Sequence, residues 1–153
     1  MLSIGENVPN FALPNKSGEI KTPKDFAGGA LVMYFYPRDN TPGCTKESIG
    51  FTEMKPEFEK LGATIIGVSK DSVKSHQKFV EKQNLGVELL SDEDGTLCED
   101  MGVWKEKSMY GKTYFGIERS TFIFDANGKL THEWCKVKVP GHVEAVLEAL
   151  KNG

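Results

Sequence analysis

Leu31 to Tyr36 (LVMYFY) is an unbroken apolar, aromatic-rich run that stops at Pro37. Such a run suits a central strand, covered by a layer on each side. Asn40, Pro42 and Gly43 are turn residues, and Cys44 opens a segment with helical spacing. A second buried strand, Ala63 to Ser69 (ATIIGVS), follows that helix. Strand, helix and strand in this order make a right-handed parallel unit. Such sheets bind ligands beyond the carboxyl ends of their strands, next to helix starts. Cys44 stands there. A thiol at a helix start meets unpaired backbone N–H groups and the positive end of the helix dipole, and both favour thiolate.

Around this unit the chain reads as α/β throughout. Phe11, Leu13 and Ile20 flank the turn Asn15–Gly18 as a short N-terminal hairpin, and Lys24 to Gly29 is a connector. Gly50 and Pro56 predict two helical pieces between Cys44 and Leu61, with Thr52 capping the second. Ser72 to Gln83 is a helix with Val73, His76, Phe79 and Val80 on one face. Gly86 to Leu90 is a short strand, and Thr96 to Met101 a short helix carrying Cys98. Trp104 to Glu118 shows no period and reads as a long loop, of the kind that is usually functional or mobile. Its Trp104, Tyr110 and Tyr114 are expected to pack onto the core, the alternative being a docking surface for a reductant. Ala126-Asn127-Gly128 signals a hairpin between Ser120–Phe124 and Lys129–Cys135. Val143 to Lys151 is a closing helix. With 153 residues and no repeat or linker, one domain over 1–153 is expected.

A formal net charge of −3 gives no electrostatic case for nucleic acid or an anionic membrane. No apolar window approaches a membrane span, and MLSIGENVPNF lacks the basic and apolar regions of a signal peptide. A cytoplasmic protein is therefore expected. Its three cysteines, Cys44, Cys98 and Cys135, are scattered and odd in number, unlike a disulfide scaffold. Together with His76, His132 and His142 they show neither C-x-x-C nor H-x-x-x-H spacing, so no metal is expected. The Gly-rich phosphate motifs are missing, and no cofactor is predicted.

Pro37-Arg38-Asp39-Asn40-Thr41-Pro42-Gly43-Cys44 fits Pro-x-x-x-Thr-x-x-Cys directly after a buried strand. This resembles the peroxiredoxins, and YFYPRDNTPGCTKES resembles their bacterioferritin-comigratory (Q-type) subfamily. The likeness continues through GVSKDSVKSH, LLSDEDG, MYGKTYFGIERSTFIFD and KVKVPGH, nearly the whole chain. It implies a thioredoxin-like fold, a central mixed β-sheet flanked by helices. It also implies a monomer that reduces hydrogen peroxide and organic hydroperoxides with electrons from thioredoxin, glutaredoxin or a small thiol. By the same resemblance Cys44 is the peroxidatic cysteine and Thr41 hydrogen-bonds thiolate and peroxide. Pro37 shields the pocket, and Arg119 lies beside the sulfur.

An unperturbed thiol, pKa ~8.5, is only a few per cent ionised at neutral pH, so full ionisation raises the rate only about 30-fold. Enzymes typically accelerate by about 10⁶-fold or more. Most of the effect must come from donors that stabilise the leaving oxygen as the O–O bond breaks. Thr41, Arg119 and the Gly43 and Cys44 amides could supply them. Closing the cycle is less determined. Relatives carry a resolving cysteine five residues after the peroxidatic one or in the next long helix, where this chain has Ile49 and Val80. Either an external thiol resolves Cys44, which is the preferred reading, or Cys98 or Cys135 does. A disulfide needs Cα atoms within about 7 Å, so an internal route asks for local unfolding. The alternative from another class is a non-catalytic holdase or interaction protein that kept the fold. On that reading Cys44 is apolar filler, Thr41 only an N-cap accepting from the Cys44 amide, and Arg119 a surface charge.

Overall fold

The computed structural model describes residues 2–153. The N-terminal hairpin forms as expected, with β1 (Leu13–Pro14) antiparallel to β2 (Ile20–Lys21). Asn15 holds its turn by accepting from the Ser17 and Glu19 amides. The connector beyond it contains a 3-10 turn, Pro23–Phe26. The remaining elements are β3 (Leu31–Phe35), α1 (Pro42–Lys60), β4 (Thr64–Ser69), α2 (Val73–Gln83), β5 (Glu88–Ser91) and α3 (Leu97–Asp100), then β6 (Trp104–Met109), β7 (Lys112–Ile117), β8 (Ser120–Phe124), β9 (Leu130–Trp134) and α4 (His142–Lys151). Five strands build the central sheet in the order β5-β4-β3-β8-β9. The sheet is mixed, since β3 runs parallel to β4 and antiparallel to β8. Among the described residues, no helix is long and apolar enough to cross a membrane.

β3 is buried at every position, as its composition requires. Its side chains alternate between two separate cores. Val32, Tyr34 and Tyr36 join Cys44, Phe51, Phe58, Phe79 and Val146 under α1, α2 and α4. Leu31, Met33 and Phe35 join Phe11, Leu97, Cys98 and Ile117 on the opposite face. Gly67 on β4 makes room for this layering, because a Cβ there would stand 2.6 Å from the Tyr34 ring.

Two expectations are corrected. α1 is one helix, running through Gly50 and Pro56 without a second cap. Its buried positions Cys44, Glu47, Ser48, Phe51 and Phe58 keep helical spacing past both residues, so tertiary packing outweighs the missing Pro56 N–H. Gly50 is a notch for α4, since a Cβ there would lie 3.1 Å from Val143. Thr52, expected as a cap, donates to the Ser48 carbonyl at 2.8 Å and accepts from the Gly86 amide. Residues 104–118, read as a loop, form the antiparallel hairpin β6–β7. Most of its residues face solvent, so neither face carries the apolar stripe from which a strand is read. Tyr110 and Gly111 both have positive φ at its two-residue turn. Tyr110 is 96% exposed and Tyr114 is exposed, so of the three aromatics only Trp104 packs against the core.

Candidate active site

Pro37 ends the run that began in β3, and the chain turns through Asn40, which has φ +60°. α1 then starts at Pro42, where the missing N–H is harmless, and this places Cys44 in the first turn. The sulfur is buried, with Cys44 only 1% exposed. From the residue just before β8, Arg119 reaches across and donates through Nη2 to Cys44 Sγ at 3.3 Å. Its other arm, Nη1, donates to Glu47 Oε1 at 2.6 Å. Gly43 permits the approach, because a Cβ there would stand 3.1 Å from Nη2. Burial alone would lower the guanidinium's pKa, but the charges of Glu47 and Cys44 reverse this and raise it. The guanidinium is thus a fixed cation held against the sulfur.

Glu47 is a site residue that the sequence reading missed. It lies one turn beyond Cys44 on the buried face of α1, fully enclosed, with Oε2 lacking a partner among the described residues. Burial raises its pKa from 4.5 to about 7, and the opposing pull of Arg119 does not cancel the rise. The signal was present in the sequence. Cys44, Glu47, Ser48 and Phe51 share one helical face, and the first three are not the aliphatic residues a core position normally takes. Ser48 meets its need by pairing with the Tyr34 hydroxyl at 2.9 Å.

Asp39 and His76 were also overlooked. Asp39 Oδ1 accepts from the Tyr36 hydroxyl at 2.6 Å, and its Oδ2 lies 2.7 Å from His76 Nδ1. Asp39, Asp71 and His76 offer ligand atoms within 4.8 Å of one another. Protein donors already engage both carboxylates, from Ser75 to Asp39 and from Ser69 to Asp71.

The residues expected at the site fall into two groups. Cys44, Gly43 and Arg119 come together as described. Thr41 occupies the N-cap position without capping the helix, and its hydroxyl donates to the Arg38 carbonyl at 2.9 Å. Pro37, Arg38 and Thr41 line an open cleft of about 570 Å³, closed opposite by Trp104, Tyr114 and Phe115. Cys98 lies in the core on the other face of the sheet from Cys44. Burial pushes its thiol well up, reinforced by Asp92. Cys135 is exposed, and burial with nearby Glu133 and Glu118 raises its pKa. Val80 faces the same core as Cys44, and Ile49 packs against that core.

A cysteine at the helix start of a parallel unit, with a guanidinium on its sulfur, is the arrangement of the thioredoxin-like thiol peroxidases. A family profile described as the AhpC/TSA family matches residues 4–133. Peroxiredoxin Bcp of Xanthomonas campestris is 54% identical over 93% of this chain and 89% of its own. A crystal structure of that bacterioferritin comigratory protein, from work on its alkyl peroxide reduction activity, aligns with TM-score 0.88 at 51% identity, over 93% of this chain and 90% of that one. Xylella fastidiosa PrxQ aligns with TM-score 0.94 at 44% identity, over 99% and 97% of the two chains. The chain belongs to the AhpC/TSA family and, within it, to the Q-type peroxiredoxins, which are thiol-dependent peroxidases.

Proposed function

We propose that the chain acts as a single domain over 1–153, reducing hydrogen peroxide and organic hydroperoxides through Cys44 alone. The carrying observation is the 3.3 Å contact from Arg119 to Cys44 Sγ. The Cys44 thiolate attacks one peroxide oxygen, forming an S–O bond as the O–O bond breaks. The leaving oxygen takes up a proton and departs as water or an alcohol, and Cys44 becomes a sulfenic acid. Arg119 and the Gly43 and Cys44 amides stabilise the charge moving onto that oxygen. The Thr41 hydroxyl exchanges its Arg38 acceptor for the peroxide. Pro37 forms the wall between sulfur and cleft. An alkyl chain fits the neighbouring cleft, whose Trp104, Tyr114 and Phe115 offer apolar surface.

An external thiol then attacks the sulfenic sulfur, releasing water and leaving a mixed disulfide, which a second thiol reduces. Thioredoxin, glutaredoxin or a small thiol fits this role, in a reducing compartment such as the cytoplasm, with the protein acting as a monomer. Three features support the external route over Cys98 or Cys135. Cys98 is fully buried behind the sheet, Val80 and Ile49 are not thiols, and Cys135 lies outside the core that holds Cys44.

The intact mass after one equivalent of peroxide tests the reading. Wild type should consume the peroxide in one turnover and gain a single oxygen on Cys44, replaced by a mixed disulfide when a small thiol is added, and Cys44→Ser should do neither. An inert wild type would favour the holdase alternative, and a Cys44–Cys98 bond would refute the external route.

A further inference from the structure

The Cys44 loop is tied to α2 by a knot of buried polar groups that the peroxide chemistry does not use. Asp39, 6% exposed, is its centre. Its carboxylate accepts from Tyr36 on the strand side and from the Ser75 hydroxyl at 2.8 Å on the α2 side. Its own amide donates to Asp71 Oδ2 at 2.8 Å, in the turn between β4 and α2. His76, fully buried, stands 2.7 Å from Asp39 Oδ2 through Nδ1 and 3.1 Å from the Leu90 carbonyl on β5 through Nε2.

The chemistry of the ring fixes where one proton lies. A carbonyl oxygen can only accept, so Nε2 carries a hydrogen directed at Leu90. With Nε2 donating, two facing lone pairs on Nδ1 and Oδ2 at 2.7 Å would repel, so these two atoms must share one proton. A proton therefore lies between Nδ1 and Oδ2, and the contact is a charge-assisted hydrogen bond in a buried place.

We propose that Asp39 and His76 are positioning residues that latch the Cys44 loop shut, and that their hydrogen bond sets how often the loop opens to the reductant. The latch is needed because the two halves of the cycle ask for opposite things. Peroxide reduction needs Arg119 and the first turn of α1 held around the sulfur. Reduction of the sulfenic acid by an outside thiol needs that sulfur, now 1% exposed, to be uncovered. The loop between Tyr36 and α1 is the segment that must move, and Asp39 is its buried anchor. The knot joins it to β5 and to the N-terminal turn of α2, whose cap is the Ser72 hydroxyl accepting from the Ser75 amide. The inference rests on the external-thiol reading of the cycle.

Two histidine replacements separate the latch from simple core filling. His76→Asn keeps an amide donor near the Nδ1 position and so keeps the bond to Asp39. His76→Gln keeps only a donor near Nε2, toward Leu90. Three rates are measured for each variant and for Asp39→Ala: iodoacetamide labelling of reduced Cys44 by peptide mass, single-turnover hydrogen peroxide consumption, and dithiothreitol reduction of the preformed sulfenic acid. Loss of one buried charge-assisted bond should speed labelling and the dithiothreitol step about tenfold and slow peroxide consumption by a similar factor. That pattern is expected in Asp39→Ala and His76→Gln, with His76→Asn close to wild type. Equal behaviour of the two histidine variants, or unchanged labelling in Asp39→Ala, overturns the latch. Imidazole ¹⁵N spectra of the wild type test it without any variant: Nε2 should carry hydrogen and Nδ1 should hold or accept a proton shared with Asp39, and an Nδ1 without such a proton would refute it. A wild type inert to peroxide whose variants still label in this order would keep the latch and discard the peroxidase cycle.

Discussion

Replacing Glu47 by Gln tests whether burial or the Arg119 partner governs the carboxyl behind the nucleophile. Glu47 is enclosed, with one oxygen 2.6 Å from Arg119 and the other unpaired. Burial is the larger influence and raises its pKa from 4.5 to about 7. Between those values the unfolded chain has released the proton and the folded chain still holds it. The folded state then binds more protons, so stability is greatest below pH 4.5, falls as pH rises and has lost this contribution above about 7. At about 1.36 kcal/mol for each pH unit, the loss across that window is about 3 kcal/mol. Gln keeps an oxygen for Arg119 and puts an N–H₂ where Oε2 lacks a partner. That unsatisfied group costs about 1–3 kcal/mol, equally at every pH, so it leaves the slope untouched. Urea unfolding followed by circular dichroism across the window should show wild type losing about 3 kcal/mol relative to Glu47→Gln. Parallel curves would mean that Glu47 does not titrate there. A slope of opposite sign would mean that the Arg119 pairing outweighs burial, and either result refutes the reasoning.

Other consequences can be checked directly. Arg119→Lys cannot serve sulfur and carboxylate together, and its peroxide rate in stopped-flow should fall about 10²- to 10³-fold. Gly43→Ala forces the guanidinium aside by a few tenths of an ångström, so peroxide consumption should slow roughly tenfold while the fold survives by circular dichroism. Cys98→Ala should leave the single-turnover rate within about twofold, because that thiol is walled off behind the sheet; a larger loss would place it in the cycle. Burial lowers the pKa of His142 from 6.5 to about 4, aided by Arg119, so between those values the unfolded chain holds a proton that the folded chain refuses. In urea unfolding, wild type should lose about 1.36 kcal/mol per pH unit relative to His142→Gln as pH falls from 6.5 towards 4, and parallel curves would refute this.

Much of the architecture was legible because burial writes itself into composition. The run from Leu31 to Tyr36 required a covered central strand, and β3 is buried at every position. The hairpin signal at Ala126-Asn127-Gly128 and the apolar spacing of α2 and α4 gave elements within a residue or two of those observed. Where reading failed, the cause was tertiary. Pro56 and Gly50 look like breakers until α4 and the sheet supply a surface that one continuous α1 covers. The β6–β7 hairpin is held by cross-strand bonds, and its exposed strands carry no stripe to read.

The sequence alone determined that a cysteine opens a helix after a buried strand, because local turn chemistry and apolar patterning act between neighbours in the chain. It could not determine what touches that sulfur. Arg119 comes from the link between β7 and β8, 75 residues further on, and the charge of Glu47 depends on how completely the packed core shuts out water. The two faces of the sheet likewise decided that Cys44 and Cys98 are kept apart. Contacts between residues far apart in sequence, and the loss of solvent around them, arise only once the layers have closed.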